Sequence, residues 1–574
     1  MDALKKFDKF IATEDAHEKE PDAIRSNYDL NPTAPKDRTW RKYNYVLIWL
    51  QSAVNVNEFN TGASLIASTG LPYGQVIGAC ILGIVVACFF TVVNARVGSS
   101  YHIGYPTYAR AVYGTRLFYF FVFVRLFVAI IWNSVQSYYG SKMLDVMFRC
   151  IFGHKWVNLP NHLPESAQIT TRGMVAFFLY WLLQMPLMWV HPRQIRWFFT
   201  FKSFFTPMAL TGLFIFCMIR GHGPGNWDVG AKGVSTLSTG NTWMSVVNTV
   251  MGTLSPMIIN QPDISRYARN KSDTVLYQAI GFIPSKIVVL LFGMASTCAI
   301  YRAYGQAYWN MWDLFDAILD HQWGAGARTG IFFCSLAFMV ATAGTNIFAN
   351  SIPFACDLSG LLPRYFTILR AQILAGVLIW AIVPWKFLAN ATQFLTFLGS
   401  YSIFVAPLLG GLLADYYVLR RGNLHVPSLY TRSPQGAYYY YKGFNLWGLG
   451  AWCLSPVLGI PGLYNAYHPG ALNKVASEIY SSGWLYTFIC GFVLHAALGT
   501  IFKTKIYPDQ HAETPKTWEY MTETDGFFEE DAPIGGVGYP GSVDYYSERS
   551  ENDSNDEEKL KVITSIKSTG GLIM

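Results

Sequence analysis

The sequence predicts an all-α integral membrane protein with twelve transmembrane helices, built around two inverted five-helix repeats. Three observations lead there. The composition is 52% hydrophobic and only 14% charged, which separates the chain from ordinary soluble domains. Its apolar runs repeatedly reach the roughly 20 residues that a helix needs to cross a bilayer. Two of those runs, five spans apart, are interrupted by polar or helix-breaking residues, as in transporters whose binding site lies beside matched breaks.

The first 42 residues are polar and lack a short apolar core with a small-residue cleavage site. No removable signal peptide is therefore expected, and the first span serves as the insertion signal. The twelve windows are 43–70, 74–97, 116–144, 172–191, 195–219, 242–262, 274–301, 329–352, 365–385, 393–417, 446–466 and 484–502. Span 1 carries "NVNEFNTG", which puts Asn55, Asn57, Glu58, Asn60 and Gly62 where an ordinary span is apolar. Span 6 carries "SPMIINQPD", in which Pro256 and Pro262 each remove a backbone donor. Either break alone reads as a packing kink; their matched placement favours the repeat. Three units result: a cytoplasmic tail (1–42), a transporter domain (43–502), and a cytoplasmic tail (503–574) whose acidic clusters, such as Glu529 to Asp531, predict disorder.

An even number of spans places both termini on one side. The short loops on that side carry Arg96, Arg110, Arg193, Arg196, Arg266, Arg269, Lys271, Arg364, Arg420, Arg421, Arg432 and Lys442, while the opposite loops carry fewer basic residues, among them Arg149, Lys155, Lys232 and Lys474. Positive charge marks the cytoplasmic side, so both termini are expected there. The net charge of +7 fits that bias and gives a nucleic-acid partner little support. Nine cysteines are scattered without CxxC spacing, so neither a metal site nor a disulfide framework is expected. No Ser/His/Asp set, metal-ligand cluster or phosphate-cradling glycine loop is attached to the spans, which argues against an enzyme and against a bound cofactor.

The stretch "IIWNSVQSYYGSKM" in span 3 sets amides inside a membrane-spanning run. Unpartnered polar groups are costly in hydrocarbon, so such residues face protein, water or a ligand. Trp132 and Gln136 are four apart and share a helix face, while Asn133 points elsewhere. An indole beside a primary amide suits a flat heterocycle with a lactam or ureide edge, stacked on the ring and bonded by an amide that both donates and accepts. An interfacial tryptophan and an interhelical hydrogen bond explain the pair equally well. Span 8 reads "ATAGTNIFANSIPFACD", where Asn346 and Asn350 share a face among small residues; they could complete a grip or simply serve helix packing.

Several longer stretches carry a resemblance: "NPTAPKDRTWRKYNYV", "IIWNSVQSYYG", "HPRQIRWFFTFKSFFTP", "INQPDISRYAR", "TNIFANSIPFACDLSGLLPRY" and "DYYVLRRG". On these the chain resembles the nucleobase-cation-symport-1 family, in its fungal uracil and allantoin permease branch. The resemblance implies a leucine-transporter-like fold of ten core helices plus two peripheral ones, working by alternating access. It implies that Trp132 stacks on the substrate, that Gln136 bonds its edge and that Asn350 completes the grip. It also implies a second stacking aromatic on span 6, although residues 250–256, "VMGTLSP", offer none. Sodium-coupled members use span 1 carbonyls with an alanine carbonyl and two hydroxyls of span 8. The matching positions here are Ala341, Gly344 and Thr345, so one hydroxyl is missing. A hard cation prefers several oxygens, and proton coupling is expected in place of sodium. Glu58 departs from the branch: a mid-membrane carboxylate suits a proton carrier or a counter-ion for a cationic substrate, or forms an ion pair with a base such as Arg125 or Lys202. Asp263 is the alternative proton carrier.

The expected function is a plasma-membrane proton symporter for a small planar heterocycle, uracil or a related nucleobase, or allantoin. Its competitors are a thiamine or nicotinamide riboside type vitamin transporter, favoured by Glu58 alone, and a non-transporting nutrient receptor of the same fold.

Overall fold

In the computed structural model, residues 29–190, 196–227 and 237–506 are described, with the isolated positions 12, 24, 229, 518, 519 and 521. Helices occur in every one of the twelve predicted windows. The first window is two helices, α1 (Lys42–Ala53) and α2 (Val56–Ser68), followed by α3 (Tyr73–Tyr101), the short α4 (Tyr105–Tyr113) and the long α5 (Phe118–Phe152). Then come α6 (Thr171–Met188), α7 (Arg196–Gly221), α8 (Thr239–Ile259), α9 (Gln261–Ser265), α10 (Leu276–Tyr304) and α11 (Met311–His321). The eighth window is α12 (Ala325–Asn346), a π-helical turn (Ile347–Ser351) and α13 (Ile352–Leu361). It is followed by α14 (Ile368–Ile382), α15 (Ala391–Ser400), α16 (Ser402–Leu413) with a π-helical end (Ala414–Leu419), α17 (Leu446–Leu454), α18 (Ile460–Tyr467), α19 (Lys474–Ser481) and α20 (Gly483–Ile501). Among the described residues, seven helical segments are long and apolar enough to cross a membrane.

Both sequence breaks are real, and the chain satisfies the backbone groups they free. At Val54 and Asn55 the helix opens: Asn55 is extended, with φ −148° and ψ 168°. Its side chain spans the gap. Oδ1 accepts from Glu58 N at 3.1 Å, capping α2, and Nδ2 donates to Ser52 O at 2.5 Å, taking up a carbonyl at the end of α1. In span 6, each proline leaves the carbonyl four residues earlier without its helical donor. Pro256 frees Gly252 O, which accepts from Tyr401 Oη at 2.6 Å. Pro262 frees Ile258 O, which accepts from Asn94 Nδ2 at 2.7 Å. The kinks are thus pinned by α3 and by the α15–α16 junction.

Glycines let backbones meet at the centre. A Cβ at Gly62 would lie 2.4 Å from Leu290 O, and one at Gly293 would lie 2.4 Å from Phe59 O, so α2 and α10 interlock through both residues. The 446–466 window is likewise not one continuous helix. There Gly459 N bonds Pro456 O at 2.8 Å in a turn between α17 and α18; apolar composition alone does not register such a turn.

Part of the N-terminal segment is fastened to the body. Arg266 donates to Thr33 Oγ1 at 2.7 Å, to Asp29 O at 2.8 Å and to Asn31 O, and Tyr430 Oη donates to Leu30 O at 2.9 Å. The acidic clusters of the C-terminal tail lie outside the described residues. Earlier in that tail, Trp518 stacks on Tyr417 with centroids 5.4 Å apart, and Glu519 pairs with Arg96 at 2.5 Å.

Candidate functional site

Trp132 and Gln136 lie on the buried face of α5, each less than 5% exposed. Gln136 Oε1 is buried with no hydrogen-bond partner among the described residues, and the Trp132 indole N–H faces the Tyr401 hydroxyl. An unpartnered buried acceptor is costly unless something else meets it. The indole packs in an aromatic corner supplied by α15 and the residue that follows it. Phe397 is 5.5 Å away at 51° and Tyr401 6.3 Å away at 87°, centroid to centroid. Span 6 contributes no aromatic here. Gly252 instead lets the α15 backbone come close, since a Cβ there would sit 2.3 Å from Leu398 O, and that approach brings Phe397 and Tyr401 to Trp132. Residues 250–256 of span 6 hold no second aromatic, and rings of span 10 line the indole instead.

The π-helical turn after α12 holds Asn350 and follows Asn346. A wider turn of this kind shifts side-chain register and is frequent at functional sites. Asn346 is committed to α5: its Nδ2 donates to Asn133 O at 3.0 Å and to Ser137 Oγ at 3.1 Å, and its Oδ1 accepts from Asn350 Nδ2 at 2.9 Å. Asn346 therefore positions the amide of Asn350. Asn346 thus joins span 8 to α5 at Asn133 and Ser137, while Trp132 packs against span 10.

The predicted coupling residues form two further clusters. In one, Glu58 Oε1 pairs with Lys286 Nζ of α10 at 2.5 Å, both buried. The ion pair is formed with Lys286, not with Arg125 or Lys202, the bases suggested by the sequence. Lys202 donates from Nζ to Thr345 Oγ1 at 2.5 Å. The one span 8 hydroxyl left for a sodium ion thus already bonds a lysine. In the other cluster, Arg125 of α5 holds Asp263 at 2.5 Å and Asp357 at 2.5 Å. Asp263 Oδ1 also accepts from Tyr105 N at 2.9 Å. Ala341 is fully buried in the last turns of α12.

Sequence reading missed Lys286, Asp357, Phe397 and Tyr401. The signal for Lys286 was present, because "PSKIVVLLF" places a lysine in an apolar run, as "FTFKSFF" does for Lys202. It also missed Gln51, near the end of α1, whose buried Oε1 and Nε2 are both without a partner among the described residues.

Residues 32–485 match the family model described as permease for cytosine/purines, uracil, thiamine, allantoin. The chain belongs to the nucleobase-cation-symport-1 family of permeases. It is 30% identical to the uracil permease of Saccharomyces cerevisiae over 524 residues, 89% of this chain and 81% of that one. It is likewise 30% identical over 507 residues to the allantoin permease of the same yeast, covering 86% and 78% of the two chains. In structure it is similar to Mhp1, a nucleobase-cation-symport-1 transporter solved with bromovinylhydantoin bound, at a TM-score of 0.63 and 20% identity over 84% of this chain and 96% of that one. This permease is a multi-pass membrane protein with the Mhp1 fold, and its family consists of transporters, not enzymes.

The ion pair at the span 1 break makes a direct prediction. Glu58→Gln leaves the Lys286 ammonium buried against a neutral amide, which costs about 3–5 kcal/mol and lowers the thermal midpoint of the purified protein. Adding Lys286→Met removes the orphaned charge and recovers most of that loss. A single variant as stable as the parent would show that the pair contributes nothing.

Proposed function

We infer that this permease imports a small planar heterocycle, uracil or a related nucleobase, or allantoin, together with a proton, by alternating access across the plasma membrane. Twelve spans and cytoplasmic termini complete the reading. The observation that carries it is the pairing of the Trp132 indole with the unpartnered Gln136 Oε1, a stacking face beside a hydrogen-bonding edge. The uracil and allantoin permeases among its relatives carry solutes of this shape by name. Neutralisation of Glu58 by Lys286 removes the feature that favoured a cationic vitamin.

Charge balance supports a proton as the coupling ion. Around Arg125, two carboxylates face one guanidinium. That cluster carries one negative charge in excess, which a coupling proton would balance. Outside the spans, His102 is excluded as the source of a pH response. Burial, followed by the charge of Arg38, pushes it down to about 3, below the range in which an imidazole ordinarily switches charge.

Uptake in a nucleobase-uptake-deficient fungal strain tests the reading. Unlabelled uracil, uridine and allantoin compete in turn, and the strongest competitor identifies the substrate. Uptake rises as external pH falls, collapses with a protonophore and is unchanged when choline replaces sodium. Dependence on sodium would overturn the coupling assignment, and normal surface expression without net uptake would favour a receptor.

A further inference from the structure

Away from the substrate site, α7 and α12 border a groove of about 780 Å³, well within the range of roughly 300–1,000 Å³ that small-ligand sites occupy. It is elongated. Its lining on α7 runs from Lys202 to Phe216, about 21 Å of helix at 1.5 Å per residue, longer than the roughly 15 Å of one leaflet's hydrocarbon. It is also greasy: among the described lining residues only Lys202, Thr206 and Gln322 are polar, and none is acidic.

The wall is built to leave width. Gly212, Gly326 and Gly330 all line it, and a Cβ added at any of the three meets nothing within 4 Å. Two rings on its sides, Phe205 and Phe333, are 51% and 61% exposed, so the groove opens sideways onto the surface that faces lipid. One end is cationic. Gln322, with its amide oxygen turned that way, accepts from Arg220 Nε at 2.8 Å and from Nη2 at 2.9 Å, and Arg220 itself is exposed at the last turn of α7. A guanidinium presents five donors, and the two bonds to Gln322 leave others to a second acceptor. An apolar trough with an arginine at one mouth complements a molecule made of a hydrocarbon chain joined to an anionic oxygen group.

We propose that this groove binds a phospholipid, one acyl chain lying between α7 and α12 and its phosphate held by Arg220. The chain's far end meets the alkyl stem of Lys202, whose ammonium bonds Thr345 at 2.5 Å, because lysine stems lie along apolar surface while their heads seek polar partners. The bound chain therefore helps seat the lysine that occupies the span 8 hydroxyl. This assignment depends on the membrane setting and not on the identity of the transported solute.

Native mass spectrometry of the full chain in detergent, titrated with palmitoyl-oleoyl phosphatidylcholine, tests it. The wild type retains one phospholipid through delipidation. Gly212→Phe with Gly330→Phe fills the trough and abolishes that retained species. Arg220→Gln, at an exposed helix end where the fold is not at risk, weakens binding by about tenfold, as expected for the loss of one charge-assisted hydrogen bond. Equal retention in the filled variant would overturn the proposal. So would an affinity unchanged by Arg220→Gln, or displacement of the phospholipid by a sterol that has no phosphate.

Discussion

Trp132→Ala is expected to lose nearly all uptake, whereas Trp132→Phe keeps a measurable part of it. The difference follows from what each leaves behind. Phenylalanine preserves a flat apolar face against Phe397 and Tyr401, which stand 5.5 and 6.3 Å from the indole, and aromatic pairs are worth about 0.5–1.5 kcal/mol beyond the area they bury. Alanine removes the face and opens a cavity where a heterocycle could no longer stack. Gln136→Ala acts on the edge instead. It strands a polar group of the substrate in a buried site, at about 1–3 kcal/mol, so the apparent affinity falls by roughly 5- to 150-fold. Asn350→Ala acts in the same direction, and Asn346→Ala weakens uptake indirectly by releasing the amide of Asn350. Radiolabelled uptake, normalised to protein at the cell surface, measures all four. Equal uptake by Trp132→Ala and Trp132→Phe, or unchanged affinity in Gln136→Ala, would sink the assignment of this pocket.

The parts of the architecture visible in the sequence are those with a local cause. Pro256, Pro262 and Asn55 act on the backbone within four residues, so both breaks could be placed before any fold was known. Trp132 and Gln136 were likewise readable, since i and i+4 share a face whatever surrounds them. What could not be read depends on distant partners. Glu58 and Lys286 are 228 positions apart, and nothing local distinguishes Lys286 from Lys202 as the partner. The carbonyl freed by Pro256 was predictable; that Tyr401 satisfies it, 149 positions away, was not. The same contact explains the missing span 6 aromatic, because the close approach at Gly252 is a property of packing between two helices. Fold likeness to Mhp1 then places these pieces in one architecture without deciding which solute is carried.

Arg125→Ala is expected to be the most destabilising change in the spans. The side chain is 4% exposed and uses three nitrogens on three partners. Nε donates to both oxygens of Asp357 at 2.8 and 3.0 Å, Nη2 to Asp357 Oδ1 at 2.5 Å, and Nη1 to Asp263 Oδ2 at 2.5 Å and Asn260 Oδ1 at 3.3 Å. Its guanidinium carbon also lies 4.0 Å from the centre of the Tyr105 ring. One arginine thereby ties α5 to the span 6 break and to α13. Removing it leaves two buried carboxylates without their cation, and breaking one buried pair alone costs about 3–5 kcal/mol. Arg125→Lys should rescue little, because a point charge cannot reproduce the planar fork that engages both carboxylates. The triple change Arg125→Met, Asp263→Asn, Asp357→Asn removes every orphaned charge, so it should recover much of the thermal midpoint while uptake stays lost, since it deletes the carboxylates proposed to take up the proton. Thermal midpoints in detergent and uptake in cells separate the two effects. Wild-type stability in Arg125→Ala would show that the hub does not hold these helices together, and normal pH-dependent uptake in the triple variant would show that the proton is carried elsewhere.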